Sequence, residues 1–385
     1  VRPFAHLWRL DPDITFLNHG SFGACPLPVL ARQTQLREQM ELEPVRFFAR
    51  ELEPLLDAAR AQVAPFVGCA ADDLAFVANA TAGVNTVLRS LKFAAGDELL
   101  TTDHAYNACR NALDHVAAAA SAKVVVAKVP FPLKSPAEVV EAVMGCVTAR
   151  TRLALLDHVT SPTGLALPMQ ELVAALAARG VDALVDGAHV PGMLPLDLRA
   201  LGAAYFTGNF HKWTCAPKGA AFLYVRADHQ REIRPLSISH GANSSRTDRT
   251  RFRLEFDWTG TDDPTAALCV PDAVRCVEGL VPGGWPEIMR QNHEKALAGR
   301  DVLCRALGVE APCPAEMLGS MAAVPLPDGS AEALQDALLH RFGIEVPVVP
   351  WPASPKRLIR ISAQLYNSPE DYARLAEALK QLLDR

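Results

Sequence analysis

Between residues 74 and 225 the chain alternates between two hydrophobic periods. The short, β-rich runs Leu74–Val77, Glu98–Thr101, Val124–Val129, Leu153–Asp157, Ala183–Asp186 and Ala220–Val225 predict strands. Between them, Ala82–Leu91, Tyr106–Ala120, Ala137–Val147 and Met169–Ala178 repeat apolar side chains at a helical spacing. Such alternation predicts an α/β fold, a mostly parallel sheet with helices on both faces. Ligands of these sheets bind beyond the carboxyl ends of the strands.

The pattern changes near residue 265. Trp285–Leu307 predicts a long helix, then come a strand (Met321–Pro325), a helix (Ala331–Arg341), two strands (Glu345–Val349 and Leu358–Ser362) and a last helix opened by Ser368 and Asp371. That pair resembles a capping box, with Asp in place of Glu or Gln. The expected organisation is an N-terminal arm (1–28), a large domain (29–264) entered through a helix at Val29–Glu41, and a smaller C-terminal α+β domain (265–385).

Composition narrows the class. Half of the 385 residues are hydrophobic and 21% are charged, enough apolar surface for a large core. A formal net charge of −5 offers no basic footprint for nucleic acid and no polybasic attraction to a membrane. The nine cysteines are odd in number and none are spaced as CxxC, which points to free thiols in a reducing cytoplasm and to no metal knuckle. The longest small and apolar stretch, Val116–Phe131, is broken by Lys123 and Lys128, so no membrane span is expected.

Three segments carry candidate chemistry. Gly208–Gly219, GNFHKWTCAPKG, places a His-Lys pair just after the apolar run Ala203–Phe206. Val185–Gly192, VDGAHVPG, ends a buried strand on an aspartate, a costly place for a carboxylate without a partner. Ala78–Val84, ANATAGV, opens a helix on small residues and a threonine. Singly, each segment reads as a loop, a turn or an ordinary cap. Together they suit pyridoxal phosphate. That cofactor needs a lysine amine for its aldehyde, a carboxylate to keep its pyridine nitrogen protonated, and helix-start N–H groups for its phosphate. The carboxylate and the lysine lie about 25 residues apart.

The ordered motifs ATAG, DHAY, TSPTG, VDGAH and HK…PKG resemble the class V aminotransferase family of fold-type-I pyridoxal-phosphate enzymes. The N-terminal FLNHGSFGACPLPV and the late IRISAQLYNSPEDYARL extend the resemblance over nearly the whole chain, toward the isopenicillin N epimerase-like branch. The resemblance implies a seven-stranded-type sheet and a homodimer with its site at the subunit interface. It implies Lys212 as the Schiff-base lysine, Asp186 as partner of the pyridine nitrogen, and His189 near the phenolic oxygen. Tyr106, with His104 as competitor, is the implied ring-stacking group. Thr81, Ala82, Asn209 and His211 are the implied phosphate contacts, and Thr261 (with Thr259 next) reaches the neighbour's phosphate. Arg360 is implied to hold the substrate α-carboxylate, with Asn18, His19 and Ser21 close by. Arg46, Phe47, Phe48 and Trp351 are further candidates beside the substrate side chain.

Two departures matter. Ser161 stands where desulfurases have Asn, and Val346–Pro355 lacks the mobile-loop cysteine a persulfide-forming desulfurase needs. The expected activity is therefore epimerisation or racemisation at Cα of an amino-acid-type substrate. A C–S lyase of the cysteine desulfhydrase or sulfoxide-conjugate type comes next, then an aminotransferase. A non-enzymatic scaffold on the same fold is disfavoured because Lys212 and Asp186 are both retained.

Overall fold

The computed structural model describes residues 4–383. Residues 1–3 of the arm and 384–385 of the C-terminal domain lie outside them. The arm supplies β1 (Thr15–Phe16). The large domain holds β2 (Leu74–Val77), β3 (Glu98–Thr102), β4 (Lys123–Ala127), β5 (Thr151–Asp157), β6 (Asp182–Asp186), β7 (Tyr205–Asn209) and β8 (Ala221–Val225). These form one seven-stranded sheet in the order β2-β8-β7-β6-β5-β3-β4. Only β8 runs antiparallel to its neighbours β2 and β7. The predicted strands are all present, with ends shifted by a residue or two; β4 stops at Ala127 instead of Val129.

Both faces of the sheet are covered, and the pleat sorts the side chains between them. On β5, Leu153 and Leu155 join the cluster beneath the helices Ala80–Ser90 and Asn107–Ala120, while Ala154 and Leu156 join the larger core on the other side. The helix Ala80–Ser90 lies close on β7. A Cβ on Gly83 would stand 2.2 Å from the Thr207 hydroxyl, so no larger residue fits there without a shift.

The C-terminal domain adds β9 (Met321–Leu326), β10 (Ile344–Glu345), β11 (Val348–Pro350) and β12 (Arg357–Ser362), with β12 central in an antiparallel sheet β11-β12-β9. The predicted strand Glu345–Val349 is split at Pro347, which has no N–H to give a ladder. Its first half pairs instead with the arm, Thr15 opposite Ile344. At the start of the last helix, the Asp371 carboxylate accepts the Ser368 N–H at 3.1 Å. Segments 1–28, 29–264 and 265–385 meet where Arg360 donates to Ser161 and to Ser21.

Candidate active site

Asp186 ends β6 and Asp157 ends β5, and the two are register partners. Each follows a leucine, Leu184 or Leu155, by two positions, so both carboxylates project toward the helix Asn107–Ala120. The Asp186 carboxylate accepts the Ala188 N–H at 3.0 Å and the Cys109 thiol at 3.1 Å. Asp157 accepts the Tyr106 N–H at 3.0 Å, and its second oxygen is buried without a partner. Burial raises both carboxyls above their ordinary range; for Asp157 the neighbouring Asp186 adds to the effect.

Lys212 stands in the loop after β7. Its amine lies 3.1 Å from His189 Nε2. Burial, then the charge of Arg360, bring it down to about 8 against the upward pull of Asp186 and Asp157. His19 braces this loop from behind: Nε2 meets the Lys212 carbonyl at 3.0 Å and Nδ1 the Tyr366 hydroxyl at 2.8 Å. Gly23 packs so tightly on the loop that a Cβ there would fall 2.0 Å from the His211 carbonyl, and its φ of 69° suits glycine.

The start of the helix Ala80–Ser90 faces the same cavity. Asn79 caps it by accepting the Ala82 N–H at 2.8 Å, and Asn209 Oδ1 accepts the Ala80 N–H at 2.8 Å. His211 binds the Ala220 carbonyl through Nδ1 at 3.1 Å, which leaves Nε2 for the cavity. Burial, then Lys212, hold its ring down at about 4.

Arg360 comes from the middle of β12 and is 4% exposed. Its guanidinium donates to the Ser161 carbonyl at 2.5 Å and to the Ser21 hydroxyl at 3.1 Å, yet Nε is buried without an acceptor. The arm, the large domain and the small domain each contribute one of these three residues. Asn18 supports the group indirectly, accepting from Ser21 at 2.5 Å and donating to Glu345 at 2.9 Å.

A cavity of about 550 Å³ brings together Thr81, Tyr106, Asp157, Asp186, His189, Asn209, His211, Lys212 and Ser21. Several expectations need correction. The Ala82 N–H is already taken by Asn79, a capping residue the sequence reading passed over. His19 is buried behind the lysine loop with both ring nitrogens engaged, so it does not line the cavity. His104 is likewise buried, held by Thr163 at 2.8 Å and the Val129 carbonyl at 3.0 Å, and Tyr106, not His104, lines the cavity. Arg46, Phe47, Phe48 and Trp351 do not line the cavity. Thr259 and Thr261 are exposed, and the contact expected of them is with a second copy of the chain. Asp157 was missed; its only sequence signal is a second apolar strand ending in aspartate.

A lysine amine drawn toward its free-base form, opposite a carboxylate kept in a dry strand end, is what an aldehyde-bearing pyridine cofactor requires. The unpartnered Asp157 oxygen in that cavity, and the unpartnered Arg360 Nε beside its Ser21 and Ser161, leave the site polar and unsaturated, as such a ligand and an anionic substrate would need. Fold and site together define a pyridoxal-phosphate-dependent α/β enzyme. The Aminotransferase class-V profile matches residues 28–375, and the chain belongs to that family. It is 40% identical to an isopenicillin N epimerase of Amycolatopsis lactamdurans, over 97% of this chain and 96% of that protein. It is 32% identical to a probable chloroplastic L-cysteine desulfhydrase of Arabidopsis thaliana, over 97% of this chain and 84% of that protein. Among solved structures, a mutant of C-DES with glycine covalently linked to its PLP cofactor superposes with a TM-score of 0.82 at 22% identity, covering 98% of this chain and 99% of that one.

Proposed function

We propose that the protein is a pyridoxal-phosphate-dependent epimerase that inverts Cα of an amino-acid-type substrate, similar to isopenicillin N epimerase. The observation that carries the reading is Arg360, a buried guanidinium that donates to Ser161 and Ser21, both of which line the cavity, and that keeps an unsatisfied Nε. It is placed to grip an α-carboxylate while the Lys212 amine stands free to take a proton from Cα. The cofactor, when bound, supplies an electron sink for the charge left at Cα. Asp186 would partner its pyridine nitrogen, Tyr106 its ring and His189 its phenolic oxygen, and Thr81, Asn209 and His211 would hold its phosphate. The 40% identity to an epimerase over 97% of the chain supports inversion as the outcome.

C–S lysis is the second reading, favoured by the identity to an L-cysteine desulfhydrase. Persulfide chemistry is disfavoured because no cysteine lines the cavity; Cys109, just behind it, is a buried thiol that donates to Asp186. The site works as a homodimer in this reading, with Thr261 of a second copy reaching the phosphate. Phe22 (74% exposed) and Ile238 (63% exposed) support a subunit contact, and Phe22 lies at the cavity mouth. A cytoplasmic location is supported by nine free thiols; no helix among the described residues is long and apolar enough to cross a membrane.

Incubation in deuterated water with isopenicillin N, L-cysteine and a panel of L-amino acids tests the reading. Inversion with one deuterium at Cα is the expected result. Pyruvate and sulfide from L-cysteine, without inversion of any substrate, would replace it with C–S lysis; keto acid that forms only with an amino acceptor would replace it with transamination.

A further inference from the structure

The residue after the lysine has no role in the site described so far. Trp213 is large, 1% exposed, and would pass for core. Its indole N–H, however, is aimed at His189 Nδ1 at 3.3 Å. An indole nitrogen can only donate. His189 Nδ1 must therefore accept, and that excludes both the imidazolium and the tautomer with its proton on Nδ1. The one remaining form carries the proton on Nε2. That nitrogen lies 3.1 Å from the Lys212 amine. An N–H there needs a lone pair opposite, and an ammonium has none.

We propose that Trp213 is a positioning residue: by fixing His189 as the Nε2–H tautomer, it holds the Lys212 side chain as the free amine. Three consecutive groups then form a one-directional chain, indole N–H to imidazole to amine. Its consequence for catalysis rests on the function proposed above; the protonation pattern itself does not. The free amine is the form that condenses with an aldehyde and the form that removes a proton.

The charged surroundings agree. His189 is held well below the ordinary histidine range by burial first, then by Lys212, Arg360, His211 and His19. The groups that pull the other way on Lys212 are Asp186, Asp157 and Cys109, and all three are themselves pushed toward the neutral acid by burial. With Arg360 as the one fixed cation facing this cluster, a second cation at Lys212 is disfavoured.

Two measurements on the full-length, cofactor-free chain test the assignment. Neutron diffraction from deuterated crystals of the unsubstituted protein held at pH 9, above the Lys212 value of about 8, should show deuterium on His189 Nε2, none on Nδ1, and two on Lys212 Nζ. Deuterium on Nδ1, or three on Nζ, would overturn it. Acetic anhydride labelling across pH, read at Lys212 by peptide mass spectrometry, gives the amine's own titration. In Trp213→Phe, which removes the donor and keeps an aromatic ring, Lys212 should react about tenfold more slowly at pH 7, the equivalent of a one-unit rise. An unchanged profile in the folded variant would overturn the proposal; should that variant not fold, the neutron map decides alone. Borohydride trapping of pyridoxal phosphate on Lys212 is the separate check on the cofactor. Its failure with the tautomer intact would remove the proposed function and leave the Trp213 assignment standing.

Discussion

Two groups of carboxylates in this chain live by opposite rules. Between the helix Leu52–Val67 and the segment 246–257, acids are saturated with arginine. Asp57 takes Arg249 through both oxygens at 2.9 and 2.6 Å, and Arg60 and Arg253 as well. Glu53 takes both Arg246 amino groups, at 2.7 and 3.0 Å. The arginine hydrogen bonds hold Asp57 and Glu53 below their ordinary range. At the ends of β5 and β6, Asp157 and Asp186 have backbone and thiol donors and no guanidinium among the described residues, and burial drives them upward. In one cluster the carboxylates Asp57 and Glu53 close their hydrogen bonds on arginines of the same chain and serve stability. In the other the Asp157 oxygen is left open, and an open buried carboxylate oxygen beside a cavity marks where a ligand belongs.

The sharpest separation comes from Lys212→Ala. It should lower turnover by about 10²–10⁴-fold or more, since it deletes the group proposed to move the proton. Thermal stability should hold or rise, because a desolvated amine has been removed. Steady-state assay and calorimetry on one preparation check both halves; a large fall in stability would make Lys212 a structural residue like those of the arginine cluster. Arg60→Met is the mirror experiment. Arg60 is fully buried, donating to the Leu74 carbonyl at 2.9 Å and to Asp57 and Asp257. Breaking such a set from one side costs about 3–5 kcal/mol. Denaturant melts should show that loss while kcat per folded molecule stays unchanged.

Arg360→Lys probes the site's own unsaturated cation. A lysine keeps the charge and loses the planar fork, so one charged hydrogen bond to a carboxylate disappears, about 1.5–3 kcal/mol. The expected signature is a KM raised at least about tenfold with kcat much less affected. An unchanged KM would mean that the carboxylate is held elsewhere.

How much of this was legible beforehand depends on what each residue answers to. The strands were legible because each is a short apolar run bounded by polar or turn residues: Leu153, Ala154, Leu155 and Leu156 are all buried, as expected of a parallel strand covered on both faces. Asp186 and Lys212 were legible because a charged group at the end of an apolar run is locally anomalous. β7 (Tyr205–Asn209) was not predicted as a strand: Ala203–Phe206 was read only as an apolar run, and Asn209 as a phosphate contact in the loop segment after it. Gly and Asn are poor strand formers, and Asn209 belongs there through its bond to Ala80, 129 positions away. His19 was read as a substrate group because polarity shows in a sequence and burial does not; Tyr366, 347 positions on, holds its ring. Asp157 sits in a strand whose bounds were expected nearly correctly, yet its meaning comes from lying beside Asp186, and register between strands is not written locally.

The smallest effect tests the two clusters by the sign of a pH dependence. Asp157 has a folded-state affinity for its proton above that of the unfolded chain, so its contribution is fully present at low pH and is lost as pH rises through the unfolded carboxyl value and beyond. Asp57 is shifted down, so its contribution is present above the unfolded value and lost as pH falls toward the folded one. Asp157→Asn should therefore stabilise the cofactor-free protein, by about 1 kcal/mol, more at pH 8 than at pH 4, because the amide never has to ionise in a dry strand end. Asp57→Asn should destabilise it by a similar amount, more at pH 8 than at pH 4, because arginine loses a partner that is charged only at the higher pH. Both variants keep the side-chain volume, so cavity effects do not blur the comparison. Tm measured at the two pH values for both variants gives four numbers, and only their signs are needed. Loss of stability on both substitutions, growing with pH in each, would place Asp157 among the structural carboxylates and dissolve the distinction between the two regions.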